Sequence, residues 1–254
     1  MKALVTGGSS GMGLEYCRQL AAMGHDIVMV SNQAEPLETL PQQLAKEYGV
    51  QVVGHYQDLS AVGAAQELLE WCKSQHHEID ILINNAGMFF FHELTPDYYE
   101  KANIMLRLHT QTPTQMSLLF GEEMKKRRRG YIINMSSLAA ALPTPGITIY
   151  AATKAYLKSF SKSLFFEMRP YNVGVTTVMP AAIATPLYGL NPKLMNIALK
   201  LGVIHTPKWL VKKALRAMFR KRHYIKPSIQ NYYLPVMIKL LPNRLEDKIW
   251  KRFL

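Results

Sequence analysis

Tyr150 and Lys154 stand four residues apart in "YAATK", within a stretch whose pattern is otherwise that of an ordinary helix. Residues i and i+4 lie on one face of a helix, so a phenol and an ammonium can point into one site. A phenol with a pKa near 10 is a poor acid-base catalyst at neutral pH, but a cation beside it stabilises the phenolate and lowers that value. The same pair, taken alone, also describes a surface tyrosine next to a surface lysine. A second stretch, "TGGSSGMG" at 6–13, follows an apolar run and opens a helical pattern. Gly7, Gly11 and Gly13 there suit a sharp strand-to-helix turn that lets a pyrophosphate approach the backbone. The spacing differs from G-x-G-x-x-G, and a turn of this kind also serves as plain punctuation between elements.

The elements around these stretches alternate. "KALVTG", "DIVMVS", "VQVVGHY", "IDILINNAG", "GYIINMSS" and "VGVTTVMP" are short runs rich in Val, Ile or Leu, ended by turn residues, and read as strands. Helical patterns cover 12–23, 37–48, 62–75, 112–129 and 151–169. Strand and helix alternating this often predict an α/β fold: a doubly wound parallel sheet of Rossmann type, in three layers with helices on both faces. No repeat, low-complexity tract or linker precedes about residue 205, so 254 residues are read as a single domain. The run "KKRRR" at 125–129 fits a helix C-terminus, with cations at the negative end of the dipole and Gly130 as left-handed cap.

"TGGSSGMG", "NNAG" at 84–87, Ser137 and "YAATK" 13 residues after that serine resemble, in order and spacing, the short-chain dehydrogenases and reductases. The resemblance covers about residues 2–225. It implies a hydride transfer between a nicotinamide cofactor and a ketone or secondary alcohol. Tyr150 is then proton donor in reduction and base in oxidation, Lys154 lowers its pKa and bonds the nicotinamide ribose, and Ser137 holds the substrate oxygen. Cofactor contacts are implied at Thr6, Gly7, Ser9, Ser10, Gly11, Met12 and Gly13, and at Asn85, Ala86 and Gly87. Asp58 would bond the adenine amino group and Leu59 would touch the ring, although an aspartate there also suits the cap of the next helix.

Ser31 and Asn32 close the second strand, where a carboxylate would select NAD. With no acid to repel a 2′-phosphate, NADP is favoured over NAD. The family's helix asparagine, whose backbone carbonyl helps hold a proton-relaying water, is replaced by His109. Three roles are open to it: the carbonyl alone preserves the relay, the imidazole turns inward and relays the proton itself, or the residue only packs. In "PAAIAT" Ala181 replaces the usual glycine, while Pro180, Ile183 and Thr185 keep the positions that contact the nicotinamide carboxamide.

The segment 186–205 is apolar, through Leu187, Tyr188, Leu190, Leu194, Met195, Ile197 and Leu199, and is read as a lid over a hydrophobic, lipid- or steroid-like substrate; packing the lid down explains the same residues. Residues 226–254 form a basic amphipathic tail with Leu245, Ile249, Trp250 and Phe253 at helical spacing. Such a tail suits a membrane surface, a partner subunit or the domain's own edge. The net charge of +12 sits mainly after residue 204, so no nucleic-acid partner is expected. Two cysteines and no ligand spacing predict a reducing compartment and no metal site. The first strand-like run begins at Ala3, and a cytoplasmic protein is expected, possible membrane contact through the tail aside. The resemblance also implies a homodimer or homotetramer. The rival class is a non-catalytic NADP-binding sensor or scaffold on the same fold.

Overall fold

Each of the six apolar runs becomes a strand, buried along nearly its whole length except in the edge strand 52–56, because helices cover both sheet faces in the computed structural model. The structure describes residues 1–142, 144–184 and 204–240. Strand β1 (Lys2–Thr6) leads into α1 (Gly11–Ala22), followed by β2 (Asp26–Ser31), α2 (Ala34–Tyr48), β3 (Val52–Tyr56), α3 (Ala64–Ser74) and β4 (Ile81–Asn84). Then come α4 (Tyr99–Leu106), a π turn (Arg107–Gln111) and α5 (Thr112–Arg127) as one helical stretch, β5 (Gly130–Met135), α6 (Thr148–Met168) and β6 (Val173–Val178). The C-terminal part adds α7 (Pro207–Phe219), β7 (Tyr224–Ile225) and α8 (Gln230–Lys239).

All strands run parallel in the order β3-β2-β1-β4-β5-β6-β7. The chain order reverses between β1 and β4, so the carboxyl ends of these two strands open the crevice where a ligand of such a sheet binds. One core half packs α1 and α7 against Val5, Met29, Ile83 and Ile133. The other packs α3, α5 and α6 against Leu4, Val28, Leu82 and Ile132. This is the doubly wound fold expected from the alternation.

Several elements depart from expectation. The helical stretch before β5 begins at Tyr99, not at 112, and α8 adds a helix in the first part of the expected tail. The left-handed cap of α5 is Arg128 (φ +54°), while Gly130 already belongs to β5. Glycine is needed at 130 for a different reason: a Cβ there would lie 2.5 Å from the Met124 side chain. The basic run also binds its own domain, through Arg129 to Glu78 and Asp80 and Arg127 to Glu78. The segment 186–203 of the expected lid and residues 241–254 of the expected tail, including Leu245, Ile249, Trp250 and Phe253, lie outside the described residues. Among the described residues no helix is long and apolar enough to cross a membrane.

Candidate active site

The crevice is organised by Thr6 at the end of β1. Its hydroxyl donates to the Ile83 carbonyl at 3.2 Å and accepts from the backbone N–H groups of Asn85 and Ala86, both at 2.9 Å. One donor and two acceptor positions are thereby filled, so Thr6 fixes the two loops to each other and has no hydroxyl bond left for a ligand. The Asn85 amide adds a bond to the Thr6 carbonyl at 3.0 Å. Below it the buried Asn84 amide donates to the Ser117 hydroxyl at 3.2 Å and to the Asn134 amide oxygen at 2.7 Å, and the Asn134 amide donates to the Ser161 hydroxyl at 2.9 Å. These amides tie β4 and β5 to α5 and α6.

Gly7 (φ +64°) and Gly11 (φ +53°) use the left-handed region that glycine tolerates. Gly13 serves close approach, since a Cβ there would stand 1.9 Å from the Gly7 carbonyl oxygen. Ser10 is the N-cap of α1, yet its side chain makes no capping bond, and Met12 in the first turn packs partly buried on the core. The first turn of α1 thus presents backbone N–H groups without a side-chain acceptor, as an anion-binding helix start requires. The loop residues present fit a dinucleotide pyrophosphate.

Tyr150 lies in the first turn of α6 and Lys154 one turn later, both buried. The Lys154 ammonium is 5.4 Å from the Tyr150 ring centroid and donates to the Met135 carbonyl at 3.0 Å. Burial pulls its pKa down to about 7, because the charged form has lost most of its water. Ser137 caps the short helical turn 138–141, its hydroxyl accepting from the Ala139 N–H at 3.1 Å. Ser136 beside it donates to the Lys154 carbonyl at 2.7 Å, which fastens the end of β5 to α6. The helix starts at Thr148, ahead of the expected start at 151.

His109 is 1 % exposed within the π turn. Its Nε2 accepts from the Met88 N–H at 3.0 Å, and its Nδ1 lies 3.1 Å from the Thr153 hydroxyl. Thr153 already donates its proton to the Tyr150 carbonyl at 2.8 Å, so Nδ1 must be the donor in that contact. The ring is held as the neutral Nδ1–H tautomer, and burial together with the Lys154 charge pushes its pKa well below the ordinary value. Both ring nitrogens are occupied, which leaves no imidazole path for a proton relay. The π turn bonds carbonyls five residues on, as from the Thr112 N–H to the Arg107 carbonyl, and Pro113 interrupts that series because it has no N–H to give. A cavity of about 10 Å³, lined by His109, Lys154, Thr6, Asn84 and Met135 among others, lies at this point. That is about the room one water needs.

The cofactor-facing ends carry further detail. Ser31 is buried, and its hydroxyl meets Ser9 at 2.8 Å; Ser9 also donates to the Gln33 amide oxygen at 2.9 Å, and the Gln33 N–H donates to Ser31 at 3.1 Å. The Ser9 proton goes to Gln33, so the Ser31 proton goes to Ser9. Ser31 is internally satisfied, while Asn32 and Gln33 are exposed. Asp58 accepts from the N–H and hydroxyl of Ser60 and does not cap α3, whose N-cap is Gly63. Leu59 is buried and lines the water-sized cavity. Gly87 passes so near His109 that a Cβ would lie 2.9 Å from its Nε2. Pro180 accepts from the Leu138 N–H at 2.8 Å, and Ile183 is buried and bridged to His205. Ala181, outside the left-handed region, buries its methyl beside Leu138 and Leu142, which is why the departure from glycine is accommodated. Thr185 lies outside the described residues.

Gln33, Thr153, Met135 and the aromatic loop after "NNAG" were not anticipated. Phe89 stands edge-on to Tyr150 at 5.1 Å, and Phe91 touches the place a Cβ of Gly146 would occupy. The signal was present as three consecutive phenylalanines, Phe89, Phe90 and Phe91, in a run with neither helical nor strand period.

Comparison with known proteins agrees with this geometry. The family model for short chain dehydrogenase matches residues 1–193. Hydroxysteroid dehydrogenase-like protein 1 of Gallus gallus is 33 % identical over 189 residues, covering 72 % of this chain and 56 % of that protein. Very-long-chain 3-oxoacyl-CoA reductase of Anas platyrhynchos is 29 % identical over 191 residues, 73 % of this chain and 60 % of that one. This chain thus aligns with little more than half the length of those two relatives. A short-chain dehydrogenase from Sphingobium yanoikuyae, solved in complex with NADPH, superposes with a TM-score of 0.80 at 29 % identity, over 90 % of this chain and 88 % of that chain. With a family model spanning the crevice and helix α6, and a solved relative that follows the same sheet, this chain belongs to the short chain dehydrogenase family.

Proposed function

We propose that the protein is an NADP(H)-dependent oxidoreductase that interconverts a hydrophobic ketone and its secondary alcohol. The observation that carries this reading is the buried Lys154 ammonium beside Tyr150, with its pKa pulled down to about 7 and a water-sized cavity behind it. When bound, the nicotinamide supplies the hydride in reduction and takes it back in oxidation. Gly7, Gly11, Gly13 and the uncapped start of α1 hold the pyrophosphate; Asp58 and Leu59 face the adenine, and Asn85 to Gly87 line the path between the ends. Pro180 and Ile183 border the nicotinamide. The exposed amides of Asn32 and Gln33, the latter with its oxygen already bonded to Ser9, present N–H donors to a 2′-phosphate, with no carboxylate to repel it. The NADPH-bound Sphingobium relative supports the same cofactor choice.

In this site Ser137 donates to the substrate oxygen, and the bond strengthens as negative charge develops there. Tyr150 gives that oxygen its proton in reduction and takes it in oxidation. The Lys154 charge favours the phenolate, and protons return through a water in the cavity that Lys154 and His109 line. His109 itself acts as a positioning residue: its ring braces the Met88 backbone against Thr153, and through Thr153 the first turn carrying Tyr150. The aromatic loop 89–91 and the apolar residues of 187–199 suit a lipid- or steroid-like substrate. The two similar vertebrate proteins carry hydroxysteroid and very-long-chain 3-oxoacyl names, in the same chemical direction. We place self-association on the helical face where Leu106, Leu118, Tyr156 and Phe166 are exposed, and the reaction in a reducing compartment such as the cytoplasm, which suits two free, buried thiols.

The test is oxidation of NADPH and NADH by purified protein across ketones from short and polar to steroid and long-chain β-keto compounds, with Tyr150→Phe alongside. NADPH-dependent turnover on the apolar members, lost in the variant, is the expected result. Tight NADPH binding without turnover on any ketone would move the protein to a cofactor-binding sensor or scaffold.

A further inference from the structure

Helix α8 has two unlike faces. Its inner face is fastened to the fold: the Asn231 amide donates to the Met179 carbonyl at 2.8 Å, and Leu234 and Ile238 pack on Leu138, Leu142 and Ala181. Its outer face carries Tyr232, Tyr233, Val236 and Met237, with Ile229 just before and Leu240 just after, and all six are exposed, Leu240 at 77 %. At 100° per residue they form one continuous apolar arc of about 140°. A contiguous exposed patch of this kind marks an interaction surface.

The charge around it restricts the occupant. From residue 168 to residue 245 the chain has 13 Lys or Arg and no Asp or Glu, and nine of those cations lie within 204–240. Lys226 stands with its ammonium 5.5 Å from the Tyr232 ring centroid, Lys213 reaches the Pro227 carbonyl, and Lys239 ends the helix. A second copy meeting this face would bring cations against cations. A nucleic acid would use the charges and leave the apolar arc without a partner. A bilayer with anionic headgroups satisfies both features: the side chains enter the acyl boundary and the lysines meet the headgroups.

We infer that the outer face of α8 docks the protein on an anionic phospholipid membrane. The inner face of the same helix packs on Leu138, next to Ser137, and holds Met179, next to Pro180. Docking therefore brings the mouth of the crevice to the lipid surface. In that detail alone the inference rests on the proposed function, since a lipid-like ketone would then be collected from the bilayer.

The experiment is co-sedimentation of the full chain with phosphatidylcholine vesicles, with and without phosphatidylserine, for the wild type and for Val236→Glu/Leu240→Glu. NADPH binding by fluorescence, unchanged between the two proteins, confirms that the variant is folded. The wild type should pellet with the phosphatidylserine vesicles, release at high salt, and bind at least about tenfold more tightly than the double variant. A wild type that stays in the supernatant with both vesicle types overturns the inference, and so does a double variant that pellets equally well. Self-association or salt-sensitive binding to duplex DNA that the double variant loses, without vesicle binding by the wild type, would assign the face to another occupant and also overturn it. Pelleting requires no turnover, so an inactive ketone panel leaves this result readable by itself.

Discussion

Lys154 holds its charge at a cost, and that cost has a pH signature. Its folded pKa of about 7 lies below the 10.5 of an ordinary lysine because burial disfavours the ammonium. Between those values the unfolded chain binds a proton that the folded chain does not, so stability rises with pH across that window. Cofactor-free protein should therefore melt at a higher temperature near pH 9 than near pH 7, and Lys154→Met should flatten the difference; thermal unfolding followed by circular dichroism reads both. For His109 the decisive feature is the fixed tautomer. His109→Leu leaves the partly buried Met88 N–H without its acceptor, which costs about 1 kcal/mol of stability. Activity should fall in kcat while the shape of the pH profile stays as in the wild type, because the ring does not titrate in the working range. Loss of a neutral-pH limb in that variant would instead make the imidazole the relay. A ¹⁵N spectrum of the ring, with Nε2 unprotonated at neutral pH, gives an independent check.

Glycines separate the elements that meet a ligand from those that only pack. A Cβ at Gly13 meets the Gly7 carbonyl, which is backbone, whereas a Cβ at Gly130 meets the Cβ, Cγ and Sδ of the buried Met124 side chain. Gly13→Ala should weaken NADPH binding at least about tenfold, since the loop must shift to relieve the overlap. Gly130→Ala should leave NADPH binding unchanged but cost about 1–3 kcal/mol of stability, because the overlap reaches the Cβ of the buried Met124. NADPH fluorescence titration and urea unfolding measure the two. The same contrast explains what could be read in the sequence. Six strands announced themselves by β-branched runs, but β7 has two residues and no period to show. The stretch Tyr99–Gln111 buries few side chains, among them Ala102, Met105 and His109, too sparse a stripe to announce a helix. Helix α7 was legible in "WLVKKALRAMF", whose apolar residues recur at helical spacing. Tyr150, Lys154 and Ser137 were legible because their spacing is local. The Thr6 contacts with Asn85 and Ala86, the Ser9–Gln33 pair and the His109 brace join residues 21 to 80 positions apart, and only the strand order brings them together.

At the scale of the whole molecule, the sheet divides the core into two halves that share the same strands. Val5 and Met29 point to the half closed by α1 and α7, whereas Leu4 and Val28 point to the half closed by α3, α5 and α6. A strand cannot lose one face and keep the other ordered, so the halves should unfold together. The two cysteines report on this separately. Cys17 is buried in the first half and Cys72 in the second. Burial raises both thiols, Cys72 to about 12 and Cys17 further, so neither supplies thiolate at neutral pH while folded. In Cys17→Ser and Cys72→Ser variants, the remaining thiol should resist an aromatic disulfide reagent until unfolding. The urea midpoint of labelling should then match the midpoint of each variant's own circular dichroism. A Cys72 that labels well before the secondary structure melts would show that α3 opens on its own. The doubly wound sheet would then be two cooperative units, with the crevice at their shared boundary.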